Sequence, residues 1–195
     1  MSDYKRKIVG DIYLAVNEFE GENYVHIRRY FADRDGQLRA TKQGCSFNLN
    51  RFAIFVDTME LIEPRFWAME EGMSVRPYEI FIGPWKLSVN IFGCIHISKY
   101  YYDSRTDQLL PTNKWISLPL ESYRQLAREI FNLLEHYPKL KDLRPCYATK
   151  HSKVEKCDTC DPFEGFRVKS IPDDAVRSDT SLIKSITIWT TIISC

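Results

Sequence analysis

From residue 8 onward, apolar and polar positions alternate in short runs. IVGDIYLAV carries β-branched and aromatic residues, and the FEGEN that follows holds a glycine turn. In YVHIRRYF, Val25 and Ile27 share one parity while Tyr24, His26, Arg28 and Tyr30 share the other. That period of two predicts a half-buried strand with its polar side outward. ADRDG reads as a turn, since Asp35-Gly36 supplies residues that tolerate positive φ. QLRATKQGCSF is the expected return strand. The period then changes: Phe52, Phe55, Val56, Met59 and Ile62 recur at helical spacing. Asn48 or Asn50 is placed to cap this helix, and Pro64 is expected to close it.

The same order of elements returns further along. In CIHISKYYYDSRTDQLLPTNKWISL, Ile95 and Ile97 take the places of Val25 and Ile27, and Tyr100, Tyr101 and Tyr102 follow as Tyr30 and Phe31 did. DSRTDQ forms the turn, Lys114 precedes the return strand, and a helix is expected from near Pro119 to Pro138. Its apolar stripe is Tyr123, Leu126, Ile130, Leu133, Leu134 and Tyr137. A repeated strand-and-helix unit points to two copies of one module. The expected division is a first module over 8–66, a linker over 67–77, a second and divergent module over 78–140, and a C-terminal extension over 141–195.

The totals narrow the function classes. The chain has 195 residues and a formal net charge of +1, so a polyanion partner must be held by local patches rather than by the whole-molecule field. MSDYKRK lacks an apolar leader, and the apolar run near 182–194 is too short and threonine-rich to span a bilayer. The expected setting is nuclear or otherwise intracellular, with six scattered cysteines kept as thiols and no membrane partner. No Gly-rich phosphate loop, G-x-S-x-G elbow or H-E-x-x-H is present, so the reading is not that of an enzyme.

HIRRYFADRDGQLRATKQGCSFNLNRF resembles the single-stranded-DNA-binding domain of the eukaryotic transcriptional coactivator positive cofactor four. The likeness covers about residues 13–62 closely and about 84–137 more loosely. It implies an α+β fold: two tandem modules, each a curved antiparallel four-stranded sheet followed by one helix, packed as an intramolecular pseudo-dimer. Phe52, Phe55 and Met59 would then meet Leu126, Ile130 and Leu133 at a seam between the helices. It also implies contacts to nucleic acid from rings and cations on the sheets. The family's strand arginine falls on Arg28, its neighbouring tryptophan on Phe31, its cation pair on Lys42 and Gln43, and an earlier ridge phenylalanine on Phe19. Two ridge lysines fall on Glu20 and Glu22, which inverts the charge there. In the second copy the arginine becomes Ser98, the tryptophan Tyr101 and the cation pair Asn113 and Lys114.

Rings stack on exposed bases and cations follow phosphates. The candidate nucleic-acid contacts are therefore Phe19, Arg28, Arg29, Phe31, Arg39, Lys42, Lys99, Tyr101 and Lys114. Between Tyr24 and Lys42 five cations face two aspartates, whereas between Cys94 and Lys114 three face two, so the first copy reads as the stronger binder. Rings beside arginines on a strand can equally be a packed edge with cations lying over the rings. His26 and His96 read as surface or turn-facing polar residues.

Past Pro138 the likeness ends. Cys146, His151, Cys157 and Cys160 are spaced C-x4-H-x5-C-x2-C, which can close a structural zinc site or remain unliganded thiols. LIKSITIWTTIISC reads either as a strand added to a sheet edge or as an aggregation-prone tail. The leading function is a non-enzymatic binder of single-stranded or melted DNA in transcription or replication, without an expected cofactor other than that zinc. The partners would be single-stranded nucleic acid and transcription or replication proteins, and the chain a monomeric pseudo-dimer or a further dimer. The alternative is a protein-interaction or structural protein whose duplicated fold has lost its ligand.

Overall fold

The computed structural model describes residues 4–145. Strands β1 (Tyr4–Val9), β2 (Ile12–Phe19), β3 (Glu22–Ala32) and β4 (Leu38–Asn48) form one antiparallel sheet in sequence order, and helix α1 (Leu49–Glu70) follows. Strands β5 (Tyr78–Ile82), β6 (Trp85–Val89), β7 (Cys94–Asp103) and β8 (Gln108–Pro119) form a second such sheet, followed by α2 (Leu120–His136). A one-turn helix α3 (Pro138–Lys141) is the last element of the described part. Two tandem sheet-and-helix modules thus pack as an intramolecular pseudo-dimer.

The alternation decides which face is covered. Leu14, Val16, Val25, Ile27, Cys45 and Phe47 line one face of the first sheet and are buried; Leu87, Val89, Ile95, Ile97, Ile116 and Leu118 do the same in the second. Turn chemistry sets the registers. Glu20 and Gly21 both have positive φ, the two-residue geometry that matches strand twist between β2 and β3. In both long hairpins an aspartate closes the turn: Asp33 Oδ1 accepts from the amides of Asp35 and Gln37, and Asp103 Oδ1 from that of Arg105.

Both sheets also carry the same irregularity. Arg28 pairs with Gly44 and Tyr30 with Ala40, so residues 41–43 face Arg29 alone. Ser98 pairs with Trp115 and Tyr100 with Pro111, so 112–114 face Lys99 alone. A threonine ties each bulge: Thr41 Oγ1 accepts from the Gln43 amide at 3.1 Å, and Thr112 Oγ1 from the Lys114 amide at 3.1 Å. Bulges of this kind re-aim side chains and sharpen local twist.

Asn48 caps α1, its side chain accepting from the Arg51 amide at 3.0 Å. Pro64 does not end the helix, contrary to the sequence expectation; α1 continues to Glu70, so the first four residues of the expected linker are helical. A mid-helix proline costs about 3 kcal/mol. Ile62 and Phe66 stand on one face to either side of it, and both are fully buried. Their burial contributes about 1.5–3 kcal/mol each, which offsets the missing hydrogen bond. In α2 the stripe Tyr123, Leu126, Ile130 and Leu133 is buried as its spacing predicts.

The seam differs from a simple helix-to-helix packing. β4 lies alongside β8, and each helix reaches across to the first strand of the other module. Tyr4 of β1 rests its ring near His136 and Tyr137, at 5.7 and 6.0 Å between centroids. The equivalent Tyr78 of β5 lies under the Arg65 guanidinium of α1, 4.2 Å from the ring centre. The helices meet where Phe66 touches Tyr123 (5.3 Å) and the Tyr123 hydroxyl donates to the Met59 carbonyl (3.4 Å). Arg124 closes this end with a forked pair to Glu70, at 2.9 and 2.6 Å. Phe47 joins the two halves, stacked on Phe55 at 5.2 Å and edge-on to Trp85 at 5.8 Å. The buried side chains of both modules form one core.

Candidate nucleic-acid interface

The candidate residues occupy three places. Phe31 and Tyr101 stand at equivalent positions near the tips of the long hairpins, 53% and 48% exposed. Phe31 pairs across the strands with Arg39, whose Nε contacts Asp33 at 2.8 Å and whose Nη2 donates to Gln37. Phe19, 63% exposed, sits at the far end of β3 from Phe31. Nine residue steps of extended chain lead from Glu22, its pairing partner, to Phe31, roughly 30 Å.

The face of the first sheet away from the helices holds Tyr13, His26, Arg28 and Tyr30. Tyr13 and Tyr30 pack ring to ring at 5.1 Å, and Lys5 Nζ lies 5.5 Å from the Tyr30 ring. Arg28 is turned onto its own sheet: Nη1 donates to the Thr41 carbonyl at 2.9 Å, holding the bulge, while Nε is buried without a hydrogen-bond partner. Gly44 is what permits this. Its φ is +140°, and a Cβ there would meet the Ile27 carbonyl and the Arg28 Cα at 2.5 and 2.6 Å. The second module solves the same packing in reverse, with buried Ser98 beneath a large Trp115 that lies against His96 at 5.5 Å. Loss of the arginine in the second copy is thus one half of an exchange of sizes.

His26 is half-buried rather than simply at the surface. Burial, and next the charge of Arg28, push its imidazole down from 6.5 to about 4. Between these values the unfolded chain takes up a proton that the folded protein refuses, so stability rises with pH. His96, lowered by burial, acts in the same direction. The melting temperature is expected to be full above pH 6.5 and to fall as pH drops toward about 4. His26→Gln should flatten part of that decline in a pH series of thermal melts; an unchanged slope would show that His26 does not contribute.

The charge count read from the sequence changes once partners are known. Arg29 grips Asp11 with two contacts at 2.7 and 3.0 Å, and Arg39 holds Asp33, so two of the first module's cations are neutralised within the module. Lys42 is exposed and makes no ion pair among the described residues. In the second module Lys99 stands where Arg29 stood, but the residue equivalent to Asp11 is Pro84. The match is set by the bond from the Tyr30 amide to the Asp11 carbonyl and that from the Tyr100 amide to the Pro84 carbonyl. Lys99 and Lys114 therefore have no carboxylate partner among the described residues, and the expected advantage of the first copy disappears.

Arg51, which sequence reading passed over, joins these lysines. It lies at the start of α1, yet its guanidinium rests against Gly83 in the β5–β6 turn of the other module. Helix periodicity identifies only the positions facing the core, and Arg51 is not one of them. Cys45 is buried within the sheet, and its thiol is pushed up to about 12 by burial, which makes it inert. Cys146, His151, Cys157 and Cys160 lie outside the described residues. Among the described residues no cluster of three or more histidines, cysteines and carboxylates is placed to hold a metal, and no helix is long and apolar enough to cross a membrane.

The two sheet-and-helix modules carry exposed rings, Phe31 and Tyr101, at matching places on their long hairpins. Residues 8–58 match the family model described as Transcriptional Coactivator p15 (PC4), and the first module belongs to that family. The match stops within α1, so the second module's relation to the first rests on its repeated element order, bulge and register. No curated protein and no solved structure matches the chain.

Proposed function

We propose that the chain is a non-enzymatic binder of single-stranded or melted DNA, acting in transcription regulation or replication in the nucleus or another intracellular setting. The observation that carries this reading is the repeated pair of exposed rings, Phe31 and Tyr101, each on a hairpin whose bulge presents a lysine, Lys42 near the first and Lys114 on the second. Rings held out from a sheet offer stacking surfaces at little ordering cost, and neighbouring lysines meet the phosphates. Membership of the first module in a transcriptional coactivator family supports the same reading. Arg39, paired with Phe31, extends this surface, Phe19 stands apart from it at the other end of β3, and the cations of Arg28 and Arg29 act mainly by shaping it.

A second reading is favoured by the ion pairs Arg29–Asp11 and Arg39–Asp33 and by the acidic Glu20-Gly21-Glu22 turn. Under it the duplicated fold serves as a protein-interaction frame without a nucleic-acid ligand. Titration of the whole chain into labelled single-stranded and duplex oligonucleotides at several salt concentrations separates the two. The first reading expects preference for the single strand, weakening as salt rises. Absence of binding at low salt, or equal weak binding to both forms, would favour the second.

A further inference from the structure

We propose that Arg51 of the first module and Lys99 and Lys114 of the second form a composite phosphate site at the seam, which takes a backbone phosphate of the bound single strand. The ligand class rests on the function proposed above; the site itself rests on the geometry that follows.

Lys99 pairs across the strands with Trp85, on the side of β7 that faces the core, and is half-buried there. Two residues before Trp85 is Gly83, which has no side chain and a φ of +59°. A Cβ at Gly83 would collide with Arg51, so this glycine makes room for the guanidinium that α1 delivers across the seam. Lys114 sits in the β8 bulge opposite Lys99, its backbone amide held by Thr112. Three positive side chains are thus gathered by three separate elements. The carboxylate that quiets the equivalent position in the first module has been replaced by Pro84.

Lys99 and Arg51 are half-buried and Lys114 is exposed beside them, and like charges so assembled repel one another. The Lys99 ammonium is held below its ordinary value by burial first, then by Lys114 and Arg51. Neither lysine has an intramolecular anion to relieve this among the described residues. A phosphate oxygen supplies that anion, and a guanidinium beside two ammonium groups matches its several acceptors. The first module builds no such site: the equivalent of Lys99 is the ion-paired Arg29, the equivalent of Lys114 is Gln43, and the equivalent of Arg51 is Ser122. The pseudo-dimer therefore has one phosphate anchor, and a strand bound across it is held in a single polarity.

The test uses the full chain and labelled oligothymidylate, with affinity measured against salt for wild type, Arg51→Gln, Lys99→Gln and Lys114→Gln. Arg128→Gln, an exposed α2 position, serves as control. Each of the first three variants is expected to reduce the log–log salt slope by about 0.7, while Arg128→Gln leaves it unchanged. Lys99→Gln should also melt slightly higher than wild type without ligand, since it removes a repelled charge; a lower melting point would mark Lys99 as structural and overturn the site. Salt-dependent wild-type binding with unchanged slopes in Arg51→Gln and Lys99→Gln would overturn the site and leave the function standing. If wild type binds no oligonucleotide, the function falls, and tripolyphosphate becomes the probe. A rise in melting temperature abolished by Lys99→Gln would uphold the site, and no rise would overturn it.

Discussion

Replacing Phe31 and Tyr101 together by alanine is expected to lower affinity for a single-stranded oligonucleotide by roughly 2–6 kcal/mol, from two stacking contacts at about 1–3 kcal/mol each. The smaller figure is already about thirty-fold in the dissociation constant. Both rings lie about half in solvent and neither belongs to the buried core, so their removal should change folding stability by no more than about 0.5 kcal/mol. This separation makes the experiment decisive: anisotropy titration reports the loss while thermal melts stay in place. The single variants should each account for part of it, because the rings belong to different hairpins. Wild-type affinity in the double variant would remove the stacking surface from the mechanism. It would then favour a protein partner for these exposed rings.

Much of this frame is legible in the sequence because it depends on local periods. Val25 with Ile27, and Ile95 with Ile97, announce strands with one buried face; Tyr123, Leu126, Ile130 and Leu133 announce α2. The duplication is legible because the apolar strand pairs, the rings after them, the aspartate-containing turns and the helical stripes recur in the same order. What remained hidden depends on partners far apart in the chain. Asp11 and Arg29 meet only through the register of β2 on β3, so a charge count along the chain scores Arg29 as available when it is neutralised. Arg28 and Ser98 look like a conserved cation and its loss until Gly44 and Trp115 are seen beneath and above them. Arg51 gives no periodic signal, since its neighbour Gly83 belongs to the other module. Pro64 misleads for a related reason: a local rule ends the helix, and the burial of Phe66 against Tyr123 of the second module carries it on.

Phe47→Ala is expected to destabilise the whole protein by about 3–5 kcal/mol, a large share of the roughly 5–15 kcal/mol that holds a domain folded. The ring is fully buried and has neighbours on both sides of the seam, Phe55 of its own module and Trp85 of the other. Its equivalent in the second module is Leu118, a smaller side chain, so the seam is filled unequally and the first module supplies the larger piece. A cavity at Phe47 therefore removes contacts from both sheets at once. Amide hydrogen exchange can read the modules separately: protection should fall together in β3 and in β7, with a single urea transition shifted to lower concentration. If instead β3 loses protection while β7 keeps the wild-type value, the modules fold independently, and the composite site at Arg51, Lys99 and Lys114 would depend on docking rather than on a shared core. Joint loss would mean that the cation cluster is held in place by the same packing that makes the two copies one folding unit.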